Sequence, residues 1–193
     1  MNTDTRFEKI LVTKEEIERA CTQAVVWINE TYKHRSFLML GILKGCIPFI
    51  GKIIDRIEPD MTLDFMTVSS FRSGGLIRDE NHPKIVMDLA NDVTDLDVLI
   101  VEDIVDTGNS LKAIVDLLKM RKARDVKICC LLDRKCNRQA DLKIDFSGIE
   151  VPQGFTVGFG LDYYGFMRNL PYVATLTEES IKLGPKLFEK EKK

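Results

Sequence analysis

The sequence predicts an α/β protein with a mostly parallel core sheet flanked by helices. Short apolar runs alternate along its 193 residues with amphipathic stretches of helical period, and this alternation is typical of βαβ units. The length suits one compact domain with a substantial core, and neither an internal repeat nor a linker divides the chain. We therefore expect a single domain that spans residues 1–193.

The N-terminal half contains two predicted helices and two predicted strands. Thr13 and Glu16 form the Ser/Thr-x-x-Glu pattern of a capping box, so a helix is expected to begin at Thr13. Pro48 suits the first turn of a second helix, because a missing N–H does no harm there. The elements expected in this half are a helix from Thr13 through Ile28, a strand at 37–42, a helix near Pro48 and a strand at 63–68.

The C-terminal half continues the same alternation. Four apolar residues between Leu111 and Leu118 repeat at i, i+3, i+4 and i+7, which predicts a helix with one buried face. Apolar runs on either side of this helix predict buried strands. The elements expected in this half are strands at 97–101, 126–132, 155–159 and 172–176, a helix at 109–121 and a frayed helix in the basic tail from Ile181.

The composition narrows the class of protein. A net charge of −2 gives no indication of binding to nucleic acid or anionic membranes. No apolar run reaches the roughly 18 to 20 residues of a membrane span, and the first ten residues lack the apolar core of a signal peptide. The 5 cysteines include no CxxC pair, so we expect free, mostly buried thiols in a reducing cytoplasm. Neither GxxxxGK[ST] nor GxGxxG occurs, so a P-loop NTPase and a classical dinucleotide-binding protein are not supported.

The most informative stretch is VLIVEDIVDTGNS at residues 98–110. A buried strand leads into the adjacent carboxylates Glu102 and Asp103, and Asp106 and a loop of small residues then open a helix. Adjacent carboxylates can accept hydrogen bonds from vicinal hydroxyls, and such a loop offers backbone N–H groups to a phosphate. The order of groups predicts a ribose-phosphate site. The alternatives are a solvated acidic strand end and, for Asp106, a helix cap.

This stretch resembles the phosphoribosyl-diphosphate (PRPP) signature of type I phosphoribosyltransferases. Leu43-Lys44-Gly45, Ser70-Phe71 and FTVGFGLDYYGFMR at 155–168 are similar to segments of the hypoxanthine-guanine phosphoribosyltransferase family. The resemblance implies the type I phosphoribosyltransferase fold, with a small hood from the N-terminal segment and parts of 133–193 and a mobile lid at about 69–95. It also implies a homodimer or homotetramer in the cytoplasm.

The implied reaction is purine salvage. Magnesium-dependent transfer of the 5-phosphoribosyl group from PRPP to N9 of hypoxanthine or guanine would give IMP or GMP and diphosphate. A non-catalytic PRPP or nucleotide sensor on the same fold is the alternative. The charged residues that this reaction needs are present at Lys44, Asp106, Asp162 and Arg168, which favours the enzyme over the sensor.

The resemblance also assigns roles to single residues. Asp106 would be the general base at purine N7, and Glu102 and Asp103 would hold the ribose hydroxyls and Mg²⁺. The 5′-phosphate would lie in the loop formed by Asp106, Thr107, Gly108, Asn109 and Ser110. The diphosphate would contact Lys44, Gly45, Ser70 and Arg168. The purine side would be formed by Arg134, Phe155, Thr156 and Asp162, of which Asp162 would also help to hold a second Mg²⁺ through water.

Two positions on the purine and diphosphate sides depart from the family pattern. The family places a lysine at the 6-oxo group, where this chain has Arg134 followed by Lys135. Either Arg134 donates to that group, which we favour, or a one-residue shift brings Lys135 there. Phe71 stands where the family usually has tyrosine. In the phosphate loop, many relatives have a basic residue at Asn109 and threonine at Ser110.

Overall fold

Among the residues that the structure describes, the central sheet has six strands in the order β4-β3-β2-β5-β6-β7. The computed structural model of the chain describes residues 4–69 and 84–189. All neighbours in the sheet are parallel except β3 and β4, which are antiparallel, and the predicted α/β class is confirmed. The strands of this sheet are β2 (Phe37–Ile42), β3 (Met61–Ser69), β4 (Lys84–Met87), β5 (Asp97–Val105), β6 (Asp125–Asp133) and β7 (Phe146–Glu150).

The helices begin where local signals place them. Thr13 caps the first helix, since its hydroxyl accepts from Glu16 N at 3.2 Å while Thr13 N donates to the Glu16 carboxylate at 2.8 Å. Pro48 lies in the first turn of the second helix, as predicted. The helices are α1 (Lys14–Tyr32), α2 (Ile47–Ile53), α3 (Asn109–Met120) and α4 (Glu178–Leu183), with 3₁₀ turns at Ile54–Arg56, Lys135–Asn137 and Gly184–Phe188.

Alternate residues of the buried strands face opposite layers of helices. Met39 and Leu99 pack on the side of α1 and α2, and Leu40 and Ile100 pack on the side of α3. Because both faces are covered, these strands are continuous apolar runs rather than alternating ones, which is why they could be identified in the sequence.

A second, smaller sheet stands beside the central one. It is antiparallel, in the order β1-β9-β8, and joins β1 (Phe7–Val12) to β8 (Thr156–Val157) and β9 (Val173–Leu176). Phe7, Tyr163 and Leu176 pack in its own apolar cluster. β1, near the N-terminus, and the C-terminal segments that carry β8 and β9 thus meet in one sheet.

Several predicted boundaries differ from the structure. The strand predicted at 97–101 runs on to Val105, because β6 continues to pair with it through Val105 and Asp133. Glu102 and Asp103 therefore lie within the strand and not after it. The late strands predicted at 155–159 and 172–176 are shortened to β8 and β9, and β1, β4 and β7 were not predicted. Part of the predicted lid, residues 70–83, lies outside the described residues.

The cysteines are free, and all except Cys136 are buried, as predicted. The longest helix, α1, is amphipathic, with charged residues on its exposed side. None of the helices in ranges 4–69 and 84–189 has the length and apolar content needed to cross a membrane.

Candidate active site

A cavity of about 510 Å³ opens at the carboxyl end of β5 and β6. Open α/β sheets bind ligands at this edge of the strands. The cavity brings together residues from the predicted ribose, phosphate and purine sites. The predicted residues that line it are Glu102, Asp103, Asp106, Thr107, Gly108, Ser110, Arg134, Phe155, Thr156 and Asp162.

Two adjacent carboxylates form the acidic wall of this cavity. Asp103 is buried and Glu102 is partly buried, and β5 holds both in place. Burial and the neighbouring Asp103 charge raise the pKa of Glu102 well above its usual value. Burial also raises the pKa of Asp103. The pair is therefore a site where a cation or hydroxyl donors would be favourable.

The turn at Lys44 and Gly45 lies directly against this acidic pair. A Cβ atom at Gly45 would overlap the Asp103 carboxylate, and one at Gly160 would overlap the Gly45 carbonyl. Only glycine permits these close approaches. The peptide bond between Leu43 and Lys44 is cis. Neither Lys44 nor Gly45 lines the cavity, but Gly45 lies against Asp103 in its acidic wall.

The loop that follows β5 leads into the N-terminus of α3. Gly108 adopts φ = 84° at the N-cap, a left-handed conformation that favours glycine. The loop thus ends where the backbone N–H groups of a 12-residue helix emerge, which suits an anion. The Asn109 side chain has another partner within the chain, since its amide donates to Gln139 Oε1 at 3.2 Å.

Asp106 faces the cavity with one oxygen held and the other without a hydrogen-bond partner. Arg134 Nη1 donates to Asp106 Oδ2 at 3.0 Å, whereas Asp106 Oδ1 is buried and has no hydrogen-bond partner among the described residues. The N-cap of α3 is Gly108 and not Asp106, and Gly108 has no side chain with which to cap the helix. An unpartnered buried carboxylate oxygen is uncommon in a folded protein and suits a proton acceptor.

Arg134 is fixed on three sides. Its Nε donates to Pro152 O at 3.1 Å and its Nη2 donates to Thr156 Oγ1 at 2.9 Å, in addition to the bond with Asp106. The side chain is only 7% exposed. Lys135 instead extends into solvent and forms an ion pair with Glu150 at 2.7 Å. Of the two candidates for the 6-oxo contact, Arg134 is the one that lines the cavity.

Phe155 provides an aromatic surface in the lining of the cavity. Its ring is 42% exposed and meets the Tyr163 ring edge-on, with the centroids 5.1 Å apart. Thr156, the next residue, begins β8 and pairs with Thr175. The exposed face of Phe155 is available for stacking on a flat ligand.

Asp162 and Arg168 are paired with one another. Arg168 Nη2 lies 2.5 Å from Asp162 Oδ1, and Arg168 Nη1 donates to Gly160 O at 2.6 Å. Arg168 does not line the main cavity, but it contacts the loop that packs on Gly45. Its guanidinium is therefore oriented by Asp162 beside the acidic pair.

Other lining residues were missed by the sequence interpretation. Asn137, Gln153 and Gly154 line the cavity as well. They carry no periodic or motif signal, and they reach the site because the 133–140 and 151–155 segments fold back over β5. Ser70 and Phe71, which were predicted at the diphosphate and lid, lie outside the described residues.

The residues present fit a magnesium site in which a bound phosphate compound supplies part of the coordination. Mg²⁺ prefers oxygen ligands and usually keeps several waters beside one or two carboxylates and substrate phosphates. Glu102 and Asp103 supply two carboxylates whose pKa values are raised, chiefly because both groups are buried. Among the described residues there is no cluster of three metal-ligating side chains. The donor set thus suits a cation that arrives with a phosphate compound.

Comparison with known proteins identifies the class first. Residues 9–164 match the phosphoribosyl transferase domain family, and this range includes most of the central sheet and the cavity. A hypoxanthine phosphoribosyltransferase from Staphylococcus aureus has a similar structure, with a TM-score of 0.83, 36% identity and coverage of 96% of each chain. The fold and the site define a type I phosphoribosyltransferase.

Curated relatives identify the family within that class. The chain is 43% identical to a hypoxanthine-guanine phosphoribosyltransferase of Mycoplasma genitalium, over 90% of this chain and 98% of that protein. It is 41% identical to the Bacillus subtilis protein of the same name, over 88% of this chain and 93% of that protein. The chain belongs to the hypoxanthine-guanine phosphoribosyltransferase family, which confirms the resemblance found in the sequence. Neither relative is named as a regulator, so the sensor alternative gains no support.

Proposed function

We propose that this protein transfers the 5-phosphoribosyl group of PRPP to N9 of hypoxanthine or guanine, giving IMP or GMP. The N9–C1′ bond forms, the bond from C1′ to the diphosphate oxygen breaks, and the proton on N7 leaves the base. The observation that carries this proposal is the position of Asp106. Its Oδ1, which has no partner in ranges 4–69 and 84–189, lies in a cavity that also contains a phosphate-type loop, an acidic pair and an exposed aromatic ring.

Asp106 is the proton acceptor for N7 in this proposal. The bond from Arg134 to Oδ2 fixes the carboxylate and leaves Oδ1 for the base. A fixed carboxylate within a cavity that closes over its ligand can act as a general base. Thr107, Gly108 and Ser110 would bind the 5′-phosphate through backbone N–H groups and hydroxyls at the start of α3, with Asn109 contributing its backbone only.

Arg134 is the proposed donor to the 6-oxo group. Each terminal nitrogen of its guanidinium uses one hydrogen for Asp106 or Thr156, which leaves one hydrogen on each for a ligand. Adenine would present an amino group to this donor, which disfavours it. Phe155 would stack on the purine, and the Thr156 carbonyl would meet the ring edge.

The diphosphate side would combine Lys44, Gly45, Ser70 and Arg168. An arginine fork suits phosphate oxygens, and it stabilises a leaving group whose negative charge grows in the transition state. Asp162 would orient Arg168 and contribute to a second cation through water. Mg²⁺, when bound beside Glu102 and Asp103, would neutralise part of the diphosphate charge.

The setting of this activity is also part of the proposal. Buried free cysteines at positions 21, 46, 129 and 130 suit a reducing cytoplasm. Assembly as a homodimer or homotetramer is a prediction that light scattering on the purified protein would test. The mobile lid at about 69–95 is likewise a prediction.

The direct test is a turnover assay with Mg²⁺, PRPP and one of four bases: hypoxanthine, guanine, xanthine or adenine. We expect nucleotide formation with hypoxanthine and guanine and none with adenine. Xanthine defines how the site treats a second oxo group. Absence of turnover with every base, in protein that binds PRPP, would contradict the proposal and favour the sensor.

Paired variants test which basic residue selects the base. Arg134→Met should lower kcat/KM for hypoxanthine roughly ten- to a hundred-fold, since a hydrogen bond to a charged group contributes about 1.5–3 kcal/mol. Lys135→Met, one residue away, should change it less than about two-fold, because Lys135 pairs with Glu150 at the surface. The reverse ranking would assign the 6-oxo contact to Lys135.

A further inference from the structure

The segment at 134–140 donates hydrogen bonds to backbone carbonyl groups of residues 105–107, at the end of β5 and the start of the phosphate loop. Val105 O accepts from Arg134 N at 2.9 Å, and Thr107 O accepts from the backbone N–H groups of Gln139 and Ala140 at 2.9 and 3.0 Å. The carbonyl groups between β5 and Gly108 are thereby turned toward this segment. They face away from any ligand that the loop binds.

This arrangement determines where the opposite groups of the same peptides point. In a trans peptide the C=O and the N–H point in opposite directions. A carbonyl held at Asp106 therefore turns the N–H of Thr107 the other way, and a carbonyl held at Thr107 does the same for Gly108. The contacts on one side of the loop aim its hydrogen-bond donors at the other side.

The central member of these contacts is the Arg138 side chain. Its Nε donates to Asp106 O at 3.0 Å, and its Nη2 donates to Val105 O at 3.3 Å and to the buried carboxylate of Asp133. The aliphatic part of Arg138 lies so close to Gly108 that a Cβ atom there would be 3.0 Å from Arg138 Cδ. The Arg138 guanidinium thus joins the last carbonyl of β5 and the first carbonyl of the loop to Asp133 at the end of β6.

We infer that Arg138 is a positioning residue for phosphoribosyl transfer, which holds the phosphate loop in its anion-binding form and keeps Asp106 aimed at the purine. This inference rests on the function proposed above. Arginine suits the position because its planar fork can donate to several acceptors at once, which a lysine ammonium cannot do with the same geometry. Asp133 supplies the charge that keeps the guanidinium oriented.

Arg138 also connects the two substrate sites. The segment that carries Arg138 begins with Arg134, whose side chain meets Asp106 from the purine side. Loss of the guanidinium would loosen the backbone on both sides of Asp106. We therefore expect a defect that appears first in PRPP binding and second in turnover.

The test uses Arg138→Ala and a matched control, Arg124→Ala. Arg124 also pairs with a buried aspartate, Asp97, but this pair lies at the amino-terminal end of β5, away from the phosphate loop. Arg138→Ala should raise KM for PRPP at least ten-fold and lower kcat, and ethylguanidinium in the assay should restore several-fold activity. Arg124→Ala should lower Tm, leave KM for PRPP within two-fold of wild type, and gain nothing from ethylguanidinium.

A second variant keeps the inference testable if the alanine variant fails to fold. Arg138→Lys preserves the charge beside Asp133, so its Tm should stay near that of wild type while KM for PRPP rises at least three-fold. An unchanged KM for PRPP in both Arg138 variants would overturn the inference. If wild type turns over no base, calorimetric titration of PRPP with Mg²⁺ decides between the two proposals. If Arg138→Lys then binds PRPP more weakly than wild type does, the role of Arg138 in holding the loop is supported although the proposed reaction fails.

Discussion

One strand, β5, carries buried carboxylates at both ends, and their surroundings are opposite. Asp97 begins the strand, with Arg124 Nε 2.7 Å from Oδ1 and Arg35 Nη1 3.0 Å from Oδ2. Glu102 and Asp103, near the other end, have each other as neighbours. Two arginines form ion pairs with the carboxylate at the first end. Among the described residues neither Glu102 nor Asp103 forms an ion pair, although the nearby Arg168 charge acts to lower the Asp103 pKa.

The pKa values express this difference. The hydrogen bond from Arg124 holds the pKa of Asp97 below its usual value, despite burial. Burial and the Asp103 charge raise the pKa of Glu102. Groups with strongly perturbed pKa values cluster at functional sites, so we expect Asp97 to stabilise the fold and the Glu102–Asp103 pair to serve binding.

The largest expected effect follows from changing Asp106, whose Oδ1 has no hydrogen-bond partner among the described residues. Asp106→Asn keeps an acceptor for Arg134 but removes the base, so kcat should fall about 10²- to 10⁴-fold. KM for PRPP should change less than about three-fold, because the phosphate loop keeps its backbone contacts. Steady-state kinetics with both substrates varied measures the two effects. Equal losses in kcat and PRPP affinity would make Asp106 a binding group.

A smaller effect, on stability alone, is expected at the other edge. Asp97→Asn should cost about 1–2 kcal/mol at pH 7, less than a fully buried pair would, since Arg35 and Arg124 are partly exposed to solvent. Because folding lowers the Asp97 pKa, its stabilisation is present above about pH 4 and is lost as the pH falls through the folded value. Urea unfolding at pH 7 and pH 3 should show the difference between variant and wild type shrinking. A loss of kcat in this variant would contradict the separation of the two edges.

The smallest expected effect has the opposite sign. Glu102→Gln removes a charge whose folded-state pKa is raised, so the variant should be more stable than wild type without ligand at pH 7. The wild-type penalty grows as the pH rises from about 4.5 through the raised value, so the gain should vanish near pH 4. A Tm increase of about 2–4 °C corresponds to roughly 1 kcal/mol for a domain of this size. Calorimetric scans at both pH values measure it, and PRPP with Mg²⁺ should stabilise wild type far more than the variant. A lower Tm at pH 7 would mean that Glu102 supports the fold.

Several features could be predicted because they depend on neighbours in the sequence. The Thr13 cap, the strand at 37–42 and the helix that begins at Asn109 follow from residues a few positions apart. The order of Glu102, Asp103 and the small-residue loop similarly places an acidic pair and an anion site at one strand end. Short β1 and β7 were missed, because edge strands have weak patterns and form by pairing with distant partners.

The sequence by itself determined the α/β class, the acidic strand, the loop of small residues and the family. Only the tertiary structure decided that Arg134, 28 positions after Asp106, donates to one oxygen of that carboxylate and that the other oxygen has no partner in the described part of the chain. It also decided that Arg134 and not Lys135 turns into the cavity. The physical reason is that local patterns follow from backbone geometry and burial within one element, whereas these contacts depend on how parallel strands align and on which loops fold back over their ends.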